Sequence, residues 1–437
     1  MNIVTPSILP GFLELLPNDQ LAFNEMKSII ERNFKKYAYL PLDTPNIEKS
    51  EVLLAKGGGE TSKQVYFIDR KERDMALRFD LTVPLARYVA EHYHELAFPF
   101  RRYHIGKVYR GERNQRGRFR EFYQCDIDII GDRALDIRND AEIPAVIFDI
   151  FKEMNFTEMT FHINNRKVLN GLLNAHGIED FVGVLRGIDK LSKVGEETTR
   201  EILLEVLGSE ENIDLLMNFI TYDGDNASTL SYLKGLEITD ETFLTGLTEL
   251  ETVYEYMLHF GIPEENIKID LSITRGLDYY TGTVYETFLD DFKSLGSVCS
   301  GGRYEDLANN YTKQVLPGVG ISIGLSRLFY QLREANRVNI SVKPVCDLLI
   351  IPMAGAEKYG LQVLNGMRKR GVISQIYLEQ GKMKAKFSYA NKLNIPYVMV
   401  LGEEEMEKSL VSLKDMHSGE QRSMTAEEAA AILNAGL

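Results

Sequence analysis

The stretch from Tyr109 to Asp128 gathers residue types suited to chemistry on a phosphate-bearing ligand. Tyr109-Arg110-Gly111-Glu112 sets a guanidinium and a carboxylate two residues apart. After a loop the chain continues Gly117-Arg118-Phe119-Arg120-Glu121-Phe122-Tyr123-Gln124-Cys125-Asp126-Ile127-Asp128. An arginine at a strand end can hold a phosphate through a forked pair of hydrogen bonds. A nearby glutamate can accept from an adenine amino group, and a ring such as Phe122 can stack on the base. Gln124, Asp126 and Asp128 alternate and so share one face of a strand. Spacing alone suits a pocket floor and an exposed, salt-bridged sheet face equally well. Between residues 101 and 120 stand Arg101, Arg102, Lys107, Arg110, Arg113, Arg116, Arg118 and Arg120, with Glu112 as the only acid. Such a run marks a polyanion site or a solvated charged loop. His92 and His94 lie two apart on an expected helix, share no face, and make a poor metal pair. His104 reads as a packed or hydrogen-bonded histidine.

The elements that must position these groups follow from periodicity. Leu21 to Tyr37 has Phe23, Met26, Ile29, Ile30 and Phe34 near helical spacing. Gln64–Arg70 and Met75–Phe79 read as a hairpin with a charged turn. Leu81–Glu95 reads as a helix beginning near Thr82. Phe98–Tyr109 and Arg118–Ile130 read as strands joined by the loop Gly111 to Gly117. Asp140–Met154 is an expected helix and Thr160–Asn164 a strand. From Leu169 to Tyr256 the pattern is acidic and helical, as for an inserted helical domain. Strand character returns at Ile267–Ile273, Thr283–Phe288 and Gly318–Ile323. Arg337–Pro344 reads as a linker, and beyond it a βαβαβ order predicts a small α/β domain with a mixed sheet. The expected organisation is a domain over 1–336 with a helical insertion over 170–256, followed by a second domain over 344–437.

Composition narrows the class. The 437 residues allow two or three domains. Hydrophobic and charged fractions of 44% and 26% are those of a soluble globular protein. Cys125, Cys299 and Cys346 form no CxxC pair, so neither a zinc site nor a disulfide framework is expected, and a reducing cytoplasm fits. No secretory signal pattern opens the chain, and no apolar run reaches a membrane span, so no membrane association is expected. A net charge of −14 argues against a nucleic-acid partner but leaves room for a local basic patch.

The segment Tyr109 to Asp128 resembles motif 2 of the class II aminoacyl-tRNA synthetases. Tyr39 to Glu48, with Pro45, resembles motif 1, which in that class builds the dimer interface. Gly318-Val319-Gly320-Ile321-Ser322-Ile323-Gly324-Leu325-Ser326-Arg327 resembles motif 3. Arg275-Gly276-Leu277-Asp278-Tyr279-Tyr280-Thr281-Gly282 and Ser300-Gly301-Gly302-Arg303-Tyr304 resemble the two histidine-specific signatures of the histidyl-tRNA synthetases. Imidazole offers one donor and one acceptor, which a carboxylate and a phenol can satisfy together. Lys384 to Asn391, Ile395-Pro396-Tyr397 and Leu401-Gly402-Glu403 resemble the anticodon-binding domain shared by the histidine, glycine, threonine and proline enzymes.

The resemblance implies an α+β fold: an antiparallel class II sheet with a helical insertion, then an α/β anticodon-binding domain with a mixed sheet. It implies a homodimer whose partners are histidine, ATP with Mg2+, and the histidine tRNA. By resemblance, Asp80, Leu81 and Thr82 hold the substrate amino group and Gln124 lies beside the histidine. Asp128 and Tyr280 contact the imidazole, and Tyr279 and Tyr304 line the pocket. Arg110 and Arg275 would be the catalytic cations on the α-phosphate. Glu112, Arg118, Phe122 and Arg327 would serve ATP, and Arg113, Arg116, Lys384 and Lys386 the tRNA. No resident metal site is expected. Asp80 and Asp128 stand where some members carry glutamate, which leaves the reach of these carboxylates open. A histidine-binding regulatory subunit of ATP phosphoribosyltransferase is the alternative, disfavoured by the complete C-terminal segment.

Overall fold

Strand alternation in the sequence translates into three sheets. A computed structural model describes residues 3–55, 63–70, 73–112, 117–188, 191–273, 280–338 and 344–435. The strands among them are β1 (Leu40–Pro41), β2 (Ile47–Lys49), β3 (Phe67–Arg70), β4 (Arg73–Leu77), β5 (Phe100–Tyr109), β6 (Glu121–Ile130), β7 (Met159–Asn165), β8 (Ile267–Ile269), β9 (Thr283–Leu289), β10 (Cys299–Tyr304), β11 (Gly318–Ile323), β12 (Leu348–Pro352), β13 (Ser374–Ile376), β14 (Tyr397–Leu401), β15 (Val411–Asp415) and β16 (Gln421–Met424). The chain divides into two compact units, Met1–Ile340 and Ser341–Leu437.

The first unit is built on an eight-stranded sheet ordered β1-β5-β6-β11-β10-β9-β7-β8. Its six central strands pair antiparallel, but β1–β5 and β7–β8 pair parallel, so the sheet is antiparallel at its centre and mixed at its edges. A parallel pair needs a long crossover. Between β7 and β8 that crossover is the helical stretch. β10 was not anticipated as a strand, because its paired glycines read as a turn signal. A smaller sheet, β2-β4-β3, lies in the same unit.

One face of the large sheet is apolar. The helix Pro17–Lys36 buries Ala22, Phe23, Met26, Ile29, Ile30 and Phe34. The Phe23 ring meets Tyr123 of β6 at 5.5 Å and Phe34 meets Tyr103 of β5 at 5.7 Å. The other face carries polar side chains in register across three strands: Arg102↔Asp128↔Gly320 and His104↔Asp126↔Ser322.

The helical stretch runs from Arg166–Ala175 to Glu241–His259. Asn165, Ser209, Asp225 and Asp240 each cap a helix there by accepting from backbone N–H groups of the first turn. Its first and last helices pack backbone to backbone. A Cβ at Gly171 would lie 2.3 Å from the Phe243 nitrogen, so only glycine fits that contact.

In the second unit the sheet order is β13-β12-β14-β15-β16, with β13, β12 and β14 parallel and the last two pairings antiparallel. One face packs Leu348, Ile350, Val363, Met367, Met399, Leu401 and Leu433 together, the other Leu349, Ile351, Ala390, Ile395 and Val398. β16 and the helix Ala426–Ala435 were not foreseen. β16 reads Gln-Arg-Ser-Met, without apolar alternation, because it is an exposed edge strand.

Candidate active site

A cavity of about 340 Å³ opens on the polar face of the large sheet. Its walls include Asp80, Thr82, Arg110, Glu112, Arg118, Phe122, Gln124, Asp126, Asp128, Tyr280, Tyr304 and Arg327. Residues distant in sequence meet here because β6 lies between β5 and β11, and the helix Thr82–Glu91 begins at the cavity edge.

The floor is a buried charge layer. The Asp128 Oδ2 pairs with the Arg102 guanidinium at 2.6 Å, and its Oδ1 accepts from the Tyr304 hydroxyl at 2.8 Å. Arg102 and Asp128 are 0% and 4% exposed. Burial pushes the Asp128 carboxyl up to about 7, with Arg102 opposing the shift. Gly320 stands directly opposite Asp128, and a Cβ there would come within 2.1 Å of the carboxylate oxygen. A side chain at that position would expel Asp128 from its place.

Beside it, the Asp80 Oδ1 accepts from the Val83 N–H at 3.0 Å, which pins the carboxylate to the first turn of the helix Thr82–Glu91. Its Oδ2 is buried without a partner among the described residues. Burial raises this carboxyl to about 6, against the Val83 hydrogen bond and the Arg110 charge. Gln124 donates from Nε2 to the Ser322 hydroxyl at 2.7 Å, and its Oε1 is left buried without a described partner.

The more open part of the cavity is cationic. Arg110 donates to the Phe79 carbonyl at 3.0 Å, and its guanidinium lies 5.2 Å from the centre of the Phe122 ring. Arg118 pairs with Glu112 at 3.3 Å. Arg327 donates to the Leu295 carbonyl at 3.0 Å; burial and the Arg118 charge lower its pKa. Lowered or not, a guanidinium keeps its proton at neutral pH.

The structure therefore brings together Asp80, Thr82, Arg110, Glu112, Arg118, Phe122, Gln124, Asp128, Tyr280, Tyr304 and Arg327. Leu81 is fully buried and is not among the residues that line the cavity; its carbonyl accepts from Arg102 at 3.4 Å. The phenol on Asp128 is that of Tyr304; Tyr280 lines the wall, and its carbonyl accepts from Arg166 at 2.7 Å. Arg113, Arg116, Arg275 and Tyr279 lie outside the described residues. In the second unit Lys384 is exposed, whereas Lys386 is buried with its ammonium 5.6 Å from the Tyr377 ring centre.

Two features of the sequence look different once folded. The described members of the basic run from Arg101 to Arg120 do not form one patch. Arg101 pairs with Glu142, Arg102 is the buried counter-ion of Asp128, Lys107 pairs with Glu121, and Arg120 donates to the Glu112 carbonyl. Alternation along β5 sends neighbours to opposite faces. Arg303, inside the Ser-Gly-Gly-Arg-Tyr segment, faces away from the cavity, buried against Asp140 at 2.7 Å. Asp126, weighed in the sequence as part of a pocket floor but given no role, belongs to the site, as do Ser322 and Arg102. The alternation of Gln124, Asp126 and Asp128 held the signal for Asp126.

Comparison with known proteins places this geometry. Residues 11–328 match the histidyl-tRNA synthetase family and residues 347–435 an anticodon binding domain. A histidine–tRNA ligase of Clostridium tetani is 55% identical over 433 residues, covering 99% of each chain. One from Finegoldia magna is 51% identical over 98% of this chain and 99% of its own. The crystal structure of histidyl-tRNA synthetase from Nostoc sp. PCC 7120 superposes with a TM-score of 0.89 at 36% identity, covering both chains fully. With the family match spanning most of the sequence, this chain belongs to the histidyl-tRNA synthetase family.

Proposed function

We infer that the protein is a histidine–tRNA ligase, which joins histidine to its tRNA at the expense of ATP. The observation that carries this is the cavity itself: a buried Asp128 held between Arg102 and Tyr304, next to the open oxygens of Asp80 and Gln124, with Arg110, Arg118 and Arg327 on the same walls. That layout suits a cationic, imidazole-bearing amino acid laid against a polyphosphate. The anticodon binding domain over residues 347–435 counts against a regulatory subunit that binds histidine without charging tRNA.

In the proposed reaction a carboxylate oxygen of histidine attacks the α-phosphorus of ATP. The bond to the bridging oxygen breaks and pyrophosphate leaves. The terminal ribose hydroxyl of the tRNA then attacks the carbonyl of the mixed anhydride and AMP departs. Two anions must approach, so the protein's work is alignment and charge neutralisation. Arg110, steadied by the Phe79 carbonyl and the Phe122 ring, would meet the α-phosphate. Arg275, by family resemblance, would approach from the other side. Phe122 would stack on the adenine, Glu112 would accept from its amino group, and Arg118 and Arg327 would take the outer phosphates. Asp80, Leu81 and Thr82 would frame the amino group, with Gln124 beside it. Asp128, Tyr280, Tyr279 and Tyr304 would enclose the imidazole, where a pocket of buried hydrogen bonds discriminates strongly against ligands that cannot make them.

Magnesium fits as an ion carried on the phosphate oxygens, where it would screen their charge. Among the described residues no three acidic, histidine or cysteine side chains cluster as a metal site. Glu112 is taken by the adenine amino group in this reading, so the ion would be held chiefly by phosphate oxygens and water, as Mg2+ commonly is beside nucleotide phosphates.

We place the catalytic part at 1–336, with an insertion at 170–256, and the tRNA-reading part at 344–437, where Lys384 and Lys386 join Arg113 and Arg116 as tRNA contacts. Lys386 is buried in this structure, so such a contact would require its side chain to turn away from Tyr377. A cytoplasmic homodimer, joined around Pro45, completes the proposal; among the described residues no helix is long and apolar enough to cross a membrane. ATP–pyrophosphate exchange across the amino acids tests the assignment: histidine alone should support it, and equal exchange with threonine or proline would sink it. Sedimentation at micromolar protein tests the dimer, which a species near the 49.7 kDa chain mass would exclude.

A further inference from the structure

Asp126 has no role in the mechanism above, yet it is a buried carboxylate on the cavity wall. It lies between Gln124 and Asp128 on β6, opposite Ser322 on β11. Its Oδ1 has no partner among the described residues. A buried acceptor left open is costly unless a ligand fills it.

Among the described residues the cavity holds three such acceptors: Asp80 Oδ2, Gln124 Oε1 and Asp126 Oδ1. The rest of Asp80 and Gln124 is anchored. Asp80 Oδ1 takes the Val83 N–H, and the Gln124 Nε2 donates to Ser322, which turns the amide oxygen the other way. The Ser322 oxygen, having accepted from Gln124, keeps its own proton to donate, and Asp126 is the carboxylate it serves. Asp128 differs, because both its oxygens already have partners in Arg102 and Tyr304.

An ammonium group has three N–H donors and no acceptor. We propose that Asp126 is a substrate-binding residue that completes, with Asp80 and Gln124, a three-acceptor cradle for the α-ammonium group of the substrate, while Asp128 is reserved for the ring. Asp126 and Asp80 also supply the negative charge that this cation needs out of water. The inference rests on the reading of the cavity as a histidine site and adds one residue, Asp126, to its amino-group side.

Calorimetric titration of the full-length protein with three probes separates the parts. Histidine and histidinol carry the ammonium group and the ring; imidazole-4-propionate carries the ring alone. Asp126→Asn should weaken histidine and histidinol on the order of ten- to a hundredfold, the scale of one charge-assisted hydrogen bond, and leave imidazole-4-propionate within about threefold. Equal loss for all three probes would place Asp126 on the ring, and no loss for any would make it a structural acid; either result overturns the proposal. Should Asp126→Asn melt below the assay temperature, Ser322→Ala gives the same reading. It removes the hydroxyl that orients both acceptors and should weaken the two amines several-fold more than the propionate; an even loss overturns the cradle. Failure of the wild type to bind histidine would instead defeat the assignment of the whole site.

Discussion

The two large sheets of this chain solve opposite problems. In the first unit β6 sets a half-buried Gln124 and the buried Asp126 and Asp128 on one face, with Arg102 and His104 beside them on β5. In the second unit β12 reads Leu-Leu-Ile-Ile-Pro and is buried and apolar on both faces. A sheet covered on both sides by apolar groups needs nothing further to be stable. A sheet that hides carboxylates with open oxygens has its stability and its ligand tied together. The first carries a site in its interior; the second is a scaffold whose contacts must lie on its surface, where Lys384 stands.

That contrast can be broken by substitution. Arg110→Ala should be the most damaging to function. It removes a cation whose described contacts are one carbonyl and one ring, so the fold should survive while histidine-dependent pyrophosphate exchange drops on the order of a hundred- to a thousandfold. Normal exchange would remove Arg110 from the reaction. Asp128→Ala should damage both properties. It strips Arg102 of its buried counter-ion, and unfolding in urea should show a loss of about 3–5 kcal/mol together with lost histidine binding. In the other sheet Ile350→Ala should behave as a pure packing defect, with a loss of about 2–5 kcal/mol in unfolding of that unit and unchanged adenylate formation.

A pH series sharpens the same comparison with a smaller effect. Asp80 and Asp128 titrate near 6 and 7 in the folded protein, above the ordinary 3.8, chiefly because they are buried. The unfolded chain releases these protons at lower pH, so the folded state binds more of them in between. Their contribution to stability is full below the unfolded pKa and is lost as pH rises through the folded values. The ligand-free protein should therefore lose stability from these two groups between about pH 4 and pH 7. Histidine, a cation at its amino group, should restore it, and the melting shift it causes should grow between about pH 5 and pH 8. A shift independent of pH would mean that the carboxylates do not face the ligand. The smallest effect expected is that of Lys384→Ala, a few-fold loss of tRNA affinity in filter binding, with the slope against salt reduced by about one phosphate contact.

The sequence showed more of the site than of its support. Strand alternation marked Gln124, Asp126 and Asp128 as one face, and Arg110 and Phe122, named there as separate candidates, stand side by side at the hairpin. The partner of Asp128 was hidden. Arg102 stands 26 positions earlier and meets it only through the register of β5 on β6, which local pattern does not specify. The same register dispersed the basic run, since Arg101 and Arg102 leave the strand on opposite sides. β10 was hidden by its glycines, and the parallel edges by crossovers that no local signal announces.

Gly320 offers no side chain to any ligand and would rank last in a roster of contacts. In a saturation mutagenesis library it should rank near the top for intolerance, because every replacement, alanine included, drives a methyl carbon or more into the Asp128 carboxylate. A survey of natural variation that weighs positions by what they touch would therefore pass over a lesion at Gly320 as silent, while the chain carrying it would lose the buried Asp128–Arg102 pair at the floor of its cavity.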